Sequence, residues 1–163
     1  LLPRPLRDVQ GLLDIGRDSA RLYVFGPSGL VFSRDLGVGT SLWLSALETP
    51  ISSTRGTLRL TPAQAREVLD RFDVSASENL VLGDGTSLND KDLMSLLRAS
   101  LERLQDTLSK SLEFVPGQEG ATPVGQVFLC GEGASLPGLH RVLSGRTGIP
   151  ACRCMPTSPP APS

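Results

Sequence analysis

Histidine occurs once in the 163 residues, at His140, and no acid or nucleophile stands at motif spacing around it. A Ser-His-Asp relay is thereby excluded. The chain also lacks a nucleophile elbow and a His-Glu-x-x-His run, so the common hydrolase signatures are absent. Placed beside Arg141 in an amphipathic stretch, His140 reads as part of a solvated helix face. Cysteine is scarce: Cys130, Cys152 and Cys154 are an odd number and none has zinc-ligand spacing. A bridge between Cys152 and Cys154, two apart, would be strained, and the three read as free thiols of a reducing cytoplasm. Surplus charge is missing as well. Lys and Arg number 16 against 17 Asp and Glu, net −1, with no basic run, which argues against a nucleic-acid partner. No apolar run reaches the roughly 18 residues of a membrane span, and the opening LLPRPLRDVQ lacks the apolar core of a secretion signal. The expectation is a soluble chain without membrane insertion, long enough for one compact domain or one lobe of a larger protein.

What is present is a regular succession of short apolar runs. Residues 11–15, 20–25 and 30–36, rich in Leu, Val, Tyr and Phe and separated by GRDS and GPSG, predict a three-stranded antiparallel meander. Thr40 reads as the N-cap of a helix reaching Leu47, and 49–57 as a polar linker. In 60–72, Thr61 caps, Pro62 takes the first helical position and Gln64 completes a capping box. Residues 73–91 read as a loop around a small apolar patch at 80–82. A long helix over about 92–114 carries Leu93, Leu97, Leu101, Leu104, Leu108 and Leu112 in one stripe, read as core. Residues 116–125 form a connector, 127–130 a strand, 137–143 the start of a helix, and GIPACRCM a last strand before the Pro-rich PTSPPAPS. This order predicts an α/β fold: a mixed sheet with an antiparallel meander, crossover helices and a small helical insertion. The expected division is a linker at 1–9, a core at 10–48 and 92–155, an insertion subdomain at 49–91 and a tail at 156–163.

Two stretches carry the candidate chemistry. In VFLCGEGASLPGL an apolar strand ends at Gly131 and Gly133 and leads into a helix, the arrangement that brings bare main chain to the carboxyl end of a sheet. In LLDIGRDSARLYVF, Asp14 ends a strand, Gly16 sits in the turn and Ser19 precedes the next strand. Amides of such a turn can hold a phosphate while the carboxylate reaches a hydrated Mg²⁺. Taken singly, either stretch is equally served by a tight turn with no ligand, because Asp and Gly favour turns. Arg21, Arg34 and Arg55 are candidate phosphate ligands by charge, but Arg34, in a strand that alternates apolar and polar residues, reads as part of a solvated face, and Trp43 reads as packed rather than stacked on a base.

Together, and in this order, the two stretches resemble the second phosphate motif and the adenosine motif of the actin-like ATPase superfamily. The FSRDLGVGTSL run, the LTPAQAREVL helix and the LCGEGASLPGL wording resemble the PilM-like type IV pilus assembly family, with FtsA a more distant relative. The resemblance covers roughly residues 10 to 155 and implies an actin-like, ribonuclease H-like lobe. It implies that Asp14 meets Mg²⁺, that Asp14, Gly16 and Ser19 lie at the phosphates, and that Gly131, Gly133 and Ala134 lie against adenine and ribose. It further implies a cytoplasmic scaffold, peripheral to the inner membrane, that docks inner-membrane proteins of a pilus or secretion machine. Only one phosphate hairpin is present, so the match is to a second lobe. ATP and Mg²⁺ are then expected only with the protein's own N-terminal lobe, with ATP acting as a conformational clamp and hydrolysis slow at most. Arg17 and Asp18 depart from the small residues usual after the glycine, crowding the loop and adding negative charge. The alternative is a degenerate actin-like module that binds no nucleotide and serves as an interaction platform.

Overall fold

The computed structural model describes residues 8–53, 56–115 and 122–154. Most of the expected N-terminal linker, Arg55, most of the 116–125 connector and the Pro-rich tail lie outside the described residues. Strands β1 (Val9–Ile15), β2 (Ala20–Gly26) and β3 (Gly29–Asp35) form the expected meander. In β1 and β2 the side chains alternate: Val9, Leu13, Ile15, Ala20, Leu22 and Val24 are buried, while Asp14 and Arg21 are exposed. That period of two is the pleat of a strand with one face on a core.

Helix α1 (Thr40–Leu47) follows, and after it come hairpin β4 (Ile51–Ser53) and β5 (Gly56–Leu58), helix α2 (Pro62–Arg71), and hairpin β6 (Leu80–Val81) and β7 (Ser87–Leu88). The stretch read as a polar linker thus contains a small antiparallel pair, because Ile51 faces Leu58 across it. The capping box of α2 forms as the sequence specifies: the Gln64 amide donates to Thr61 Oγ1 at 3.2 Å, and the Thr61 amide donates to Gln64 Oε1 at 2.9 Å. Gln64 also donates to Asp84 at 2.8 Å, and Glu67 accepts from the Gly83 amide at 2.7 Å, pinning the β6–β7 turn onto α2.

Helix α3 (Asp90–Phe114) starts at Asn89, whose side chain accepts from the Lys91 amide at 2.9 Å. All six leucines of its stripe are buried. Burying each is worth about 1.5–3 kcal/mol relative to exposure, so the stripe fixes this face of the helix on the shared core. Strand β8 (Val124–Cys130), helix α4 (Leu139–Thr147) and strand β9 (Ala151–Arg153) complete the fold, with β8 starting inside the segment expected to be connector. The five-stranded sheet runs β3-β2-β1-β8-β9, with β1, β8 and β9 mutually parallel and the meander antiparallel. The core is continuous: sheet residues Leu13, Ile15 and Leu129 share one cluster with Trp43, Leu47, Leu69, Phe72, Leu104, Leu139 and Leu143 from the four helices and the residue that ends α2. Among the described residues no helix is long and apolar enough to cross a membrane.

Candidate functional site

Because β1 and β8 are parallel neighbours, their carboxyl ends meet at one edge, and the two loops that follow leave from the same place. Asp14 stands opposite Cys130 in the register. Gly131, at φ 82°, lies so close that a Cβ there would fall 2.5 Å from Asp14 Oδ1 and 2.6 Å from the Ile15 carbonyl oxygen. The two stretches singled out in the sequence, more than a hundred residues apart, are therefore in contact.

The turn after β1 is closed by the Gly16 amide donating to the Ser19 carbonyl at 3.0 Å. Its own carbonyls face α1: the Thr40 amide donates to Gly16 at 3.1 Å and the Ser41 amide to Arg17 at 2.9 Å. The start of α1, whose first amides have no partner within the helix, is thus capped by the hairpin. Gly39 makes this possible, since a Cβ on it would fall 2.6 Å from the Asp18 carbonyl carbon and closer still to the Arg17 oxygen. Thr40 is the first helical residue and not the N-cap, which is Gly39. Its hydroxyl, buried, donates instead to the Glu132 carboxylate in the loop after β8. The arrangement is a three-way brace of hairpin, helix start and β8 loop. Gly39 and Glu132 were not singled out in the sequence, and Thr40 only as a helix cap; the Gly-x-Gly-Thr spacing after the meander was the visible trace of Gly39 and Thr40.

Each expected site residue can now be placed. Asp14 is exposed on the outward face of the sheet, and Gly16 is in the turn. The amides of Arg17, Asp18 and Ser19 donate no hydrogen bond among the described residues. The Ser19 hydroxyl is bonded to the Asp35 carboxylate. That bond, with the Gly37 amide and the nearby Arg21, holds the Asp35 carboxyl below its ordinary range. Arg21 pairs with Asp35 at 3.7 Å, and Arg34 is exposed as expected. Gly133 and Ala134 are buried in the short 3₁₀ turn Glu132–Ser135. A Cβ on Gly133 would overlap the Ile15 side chain, so within the chain it is β1 that lies against this glycine. Cys130 is half-buried, and burial, Asp14 and Cys154, in that order, push its thiol up.

Between α1, α2 and the β8 loop lies a cavity of about 10 Å³, lined among others by Thr40, Trp43, Arg66, Asp70, Glu132 and Leu136. Arg66 and Asp70 form an ion pair at 3.7 Å beside it. The packed reading of Trp43 holds, for it is 1% exposed, and its Nε1 has no hydrogen-bond partner among the described residues. His140 is only partly solvated, with Nδ1 buried and without a partner among the described residues.

Asp14 and the turn amides are groups of the chemistry that the phosphate end of a magnesium nucleotide binds. The Asp14 carboxylate is exposed, and the turn that follows it holds three amides with no acceptor among the described residues, groups that suit Mg²⁺ and phosphate oxygens respectively. The neighbouring cavity has room for about one water and none for a purine.

No family model matches the sequence, and no curated protein matches it in a sequence search. Among solved structures, the chain is similar to one from the PilM-PilN type IV pilus biogenesis complex, with 22% identity, TM-score 0.66, 92% of this chain and 36% of that one. It is similar to MreB 5 of Spiroplasma citri bound to AMPPNP, with 15% identity, TM-score 0.69, 91% of this chain and 49% of that one. It is also similar to the archaeal actin homolog Ta0583 in complex with ADP, with 14% identity, TM-score 0.58, 91% of this chain and 44% of that one. The chain therefore spans half or less of the length of these structures. With its 3-2-1-8-9 sheet matched over nine-tenths of its length, the chain has the fold of the actin-like ATPases.

Proposed function

We propose that the chain is one lobe of a two-lobed actin-like scaffold that grips the phosphate end of a magnesium nucleotide. The core at 10–48 and 92–155 and the insertion at 49–91 together form the lobe, and the nucleotide clamps it to an N-terminal lobe. The observation that carries this reading is the meeting of Asp14 with Gly131 at the joined carboxyl ends of β1 and β8, where ligands gather in α/β sheets. Asp14 would hold hydrated Mg²⁺, while the Arg17, Asp18 and Ser19 amides would hold phosphate oxygens. The metal, when bound, offsets phosphate charge. Gly131, Gly133 and Ala134 form the wall toward the adenosine side. Hydrolysis is at most slow, since phosphoryl transfer needs groups positioned from both lobes. The likeness to a chain of the PilM-PilN complex supports docking of inner-membrane pilus or secretion proteins by a cytoplasmic protein peripheral to that membrane.

A micromolar ligand is worth about 8 kcal/mol, and one lobe supplying half of that binds near millimolar. The test is accordingly a titration of this chain with millimolar Mg-ADP, followed by amide shifts in NMR. The Arg17, Asp18 and Ser19 signals move, and Asp14→Asn removes the Mg²⁺-dependent part. Signals that stay still throughout the 16–19 turn overturn the phosphate reading. The exposed Asp18, a negative charge in the turn itself, favours a second reading, an interaction platform that binds no nucleotide; a still turn in a chain that retains partner docking is its signature.

A further inference from the structure

One rung on the outward face of the sheet crosses four strands, β3, β2, β1 and β8, at their ligand edge. The register sets Asp35 opposite Arg21, Arg21 opposite Asp14, and Asp14 opposite Cys130. Strands β8 and β9 carry the pairing on, with Phe128 opposite Cys152 and Leu129 opposite Arg153. Beyond the last residue of β9, the Cys154 amide donates to the Leu129 carbonyl at 2.7 Å. That bond belongs to the last pair of the ladder, Leu129 with Arg153, and holds the residue after β9, Cys154, beside the residue that ends β8, Cys130. Residues opposite one another share a face, and neighbouring strands lie about 4.8 Å apart. That separation falls within the roughly 4.4–6.8 Å between Cα atoms that a disulfide spans.

The third cysteine is set apart. Cys152 sits one step back on the same face and takes a hydrogen bond from Gln126 at 3.2 Å. All three are free thiols, Cys154 exposed and Cys130 half-buried. The reachable thiol and the recessed one thus face each other at the sheet edge, beside Asp14.

We propose that Cys130 and Cys154 are a modification site: a thiol pair that closes reversibly to a disulfide by exchange with a small disulfide of the glutathione class. The Cys154 thiolate attacks one sulfur of the glutathione disulfide, forming a mixed disulfide and releasing one glutathione thiolate, which takes a proton. The Cys130 thiol gives its proton to solvent, and the resulting thiolate attacks Cys154 Sγ and expels the second glutathione. Two protein thiols and one glutathione disulfide become one protein disulfide and two glutathione thiols, with no electron unaccounted for. An exposed bridge of this kind is of the labile class, reduced again by a monothiol or dithiol pool. The site stands whether or not the neighbouring turn takes a nucleotide.

The experiment is exposure of this chain to graded ratios of oxidised and reduced glutathione, with intact mass, thiol count and peptide mapping. Under oxidising ratios the mass falls by two hydrogens with no glutathione retained, and titratable thiols drop from three to one. Mapping joins Cys130 to Cys154, and excess reduced glutathione restores all three thiols. The variant Cys152→Ser closes as the parent does, whereas Cys130→Ser stops at the mixed disulfide on Cys154. Mapping of the unmodified sequence needs no variant to fold. A parent chain that stops with glutathione on Cys154, or that joins Cys152 to either neighbour, overturns the proposal.

Discussion

Gly133 lies where a methyl group would meet Ile15 Cβ at 2.8 Å and Thr40 Cγ2 at 3.1 Å, with the Ile15 Cγ2 methyl closer still. All three atoms belong to buried, packed positions, so nothing there can swing aside into solvent. Gly133→Ala is therefore expected to cost about 1–3 kcal/mol as an overpacked core site. In urea the midpoint falls while the slope stays constant. An unchanged midpoint removes the argument that β1 dictates this glycine. The position shows how a residue can be legible for one reason and required for another. The sequence marks Gly133 as bare main chain open to a guest, and the nearest neighbour in the fold is the end of β1. Thr40 shows the opposite case. Its identity suits an N-cap, but the hairpin carbonyls take the helix amides, and its hydroxyl is released to bond Glu132.

Local rules decide most at the level of single elements. The α2 capping box depends only on residues three apart, which is why Thr61, Pro62 and Gln64 were readable in advance. Thr61→Ala leaves the Gln64 amide without its side-chain acceptor and is expected to cost about 1 kcal/mol. Thermal denaturation reads the loss, and Thr61→Ser restores most of it. The α3 stripe was equally plain, because six leucines at helical spacing can share only one face. The β4–β5 pair was not, since three-residue strands carry too little alternation to stand out from polar linker. Elements also meet through single groups, and Asp73 is the instructive one. It accepts from the Ser75 hydroxyl at 2.6 Å and the Ser75 amide at 2.8 Å, and faces Arg141 of α4 at 3.5 Å. These donors, the Ser75 hydroxyl foremost, hold its carboxyl below the ordinary 3.8. A lowered native value means stabilisation that is whole above 3.8 and is lost as pH falls through the native value. The stability difference between the parent and Asp73→Asn is expected to be largest near neutral pH and to shrink below about pH 4. Urea midpoints at the two acidities measure it, and a constant difference contradicts the ionic account.

At the scale of the whole molecule, the sheet order decides what the site can be. Parallel pairing of β1 with β8 is the step that carries Asp14 to Gly131, and a hairpin in its place would have sent the two loops to opposite edges. The sequence by itself determined the elements: strands of period two, helices of period 3.6, their caps, and the wording by which two glycine-bearing loops resemble an actin-like pair. These properties are set by neighbours a few residues away, so they survive without knowledge of the rest of the chain. Only the tertiary structure decided that Gly16 and Arg17 cap α1, that Glu132 takes the Thr40 hydroxyl, that the Cys154 amide bonds Leu129, and that about 10 Å³ is left between α1, α2 and the β8 loop. Each of these depends on close packing between segments distant along the chain, where differences of a few tenths of an ångström in approach choose the partner. No local pattern of residue types records such distances.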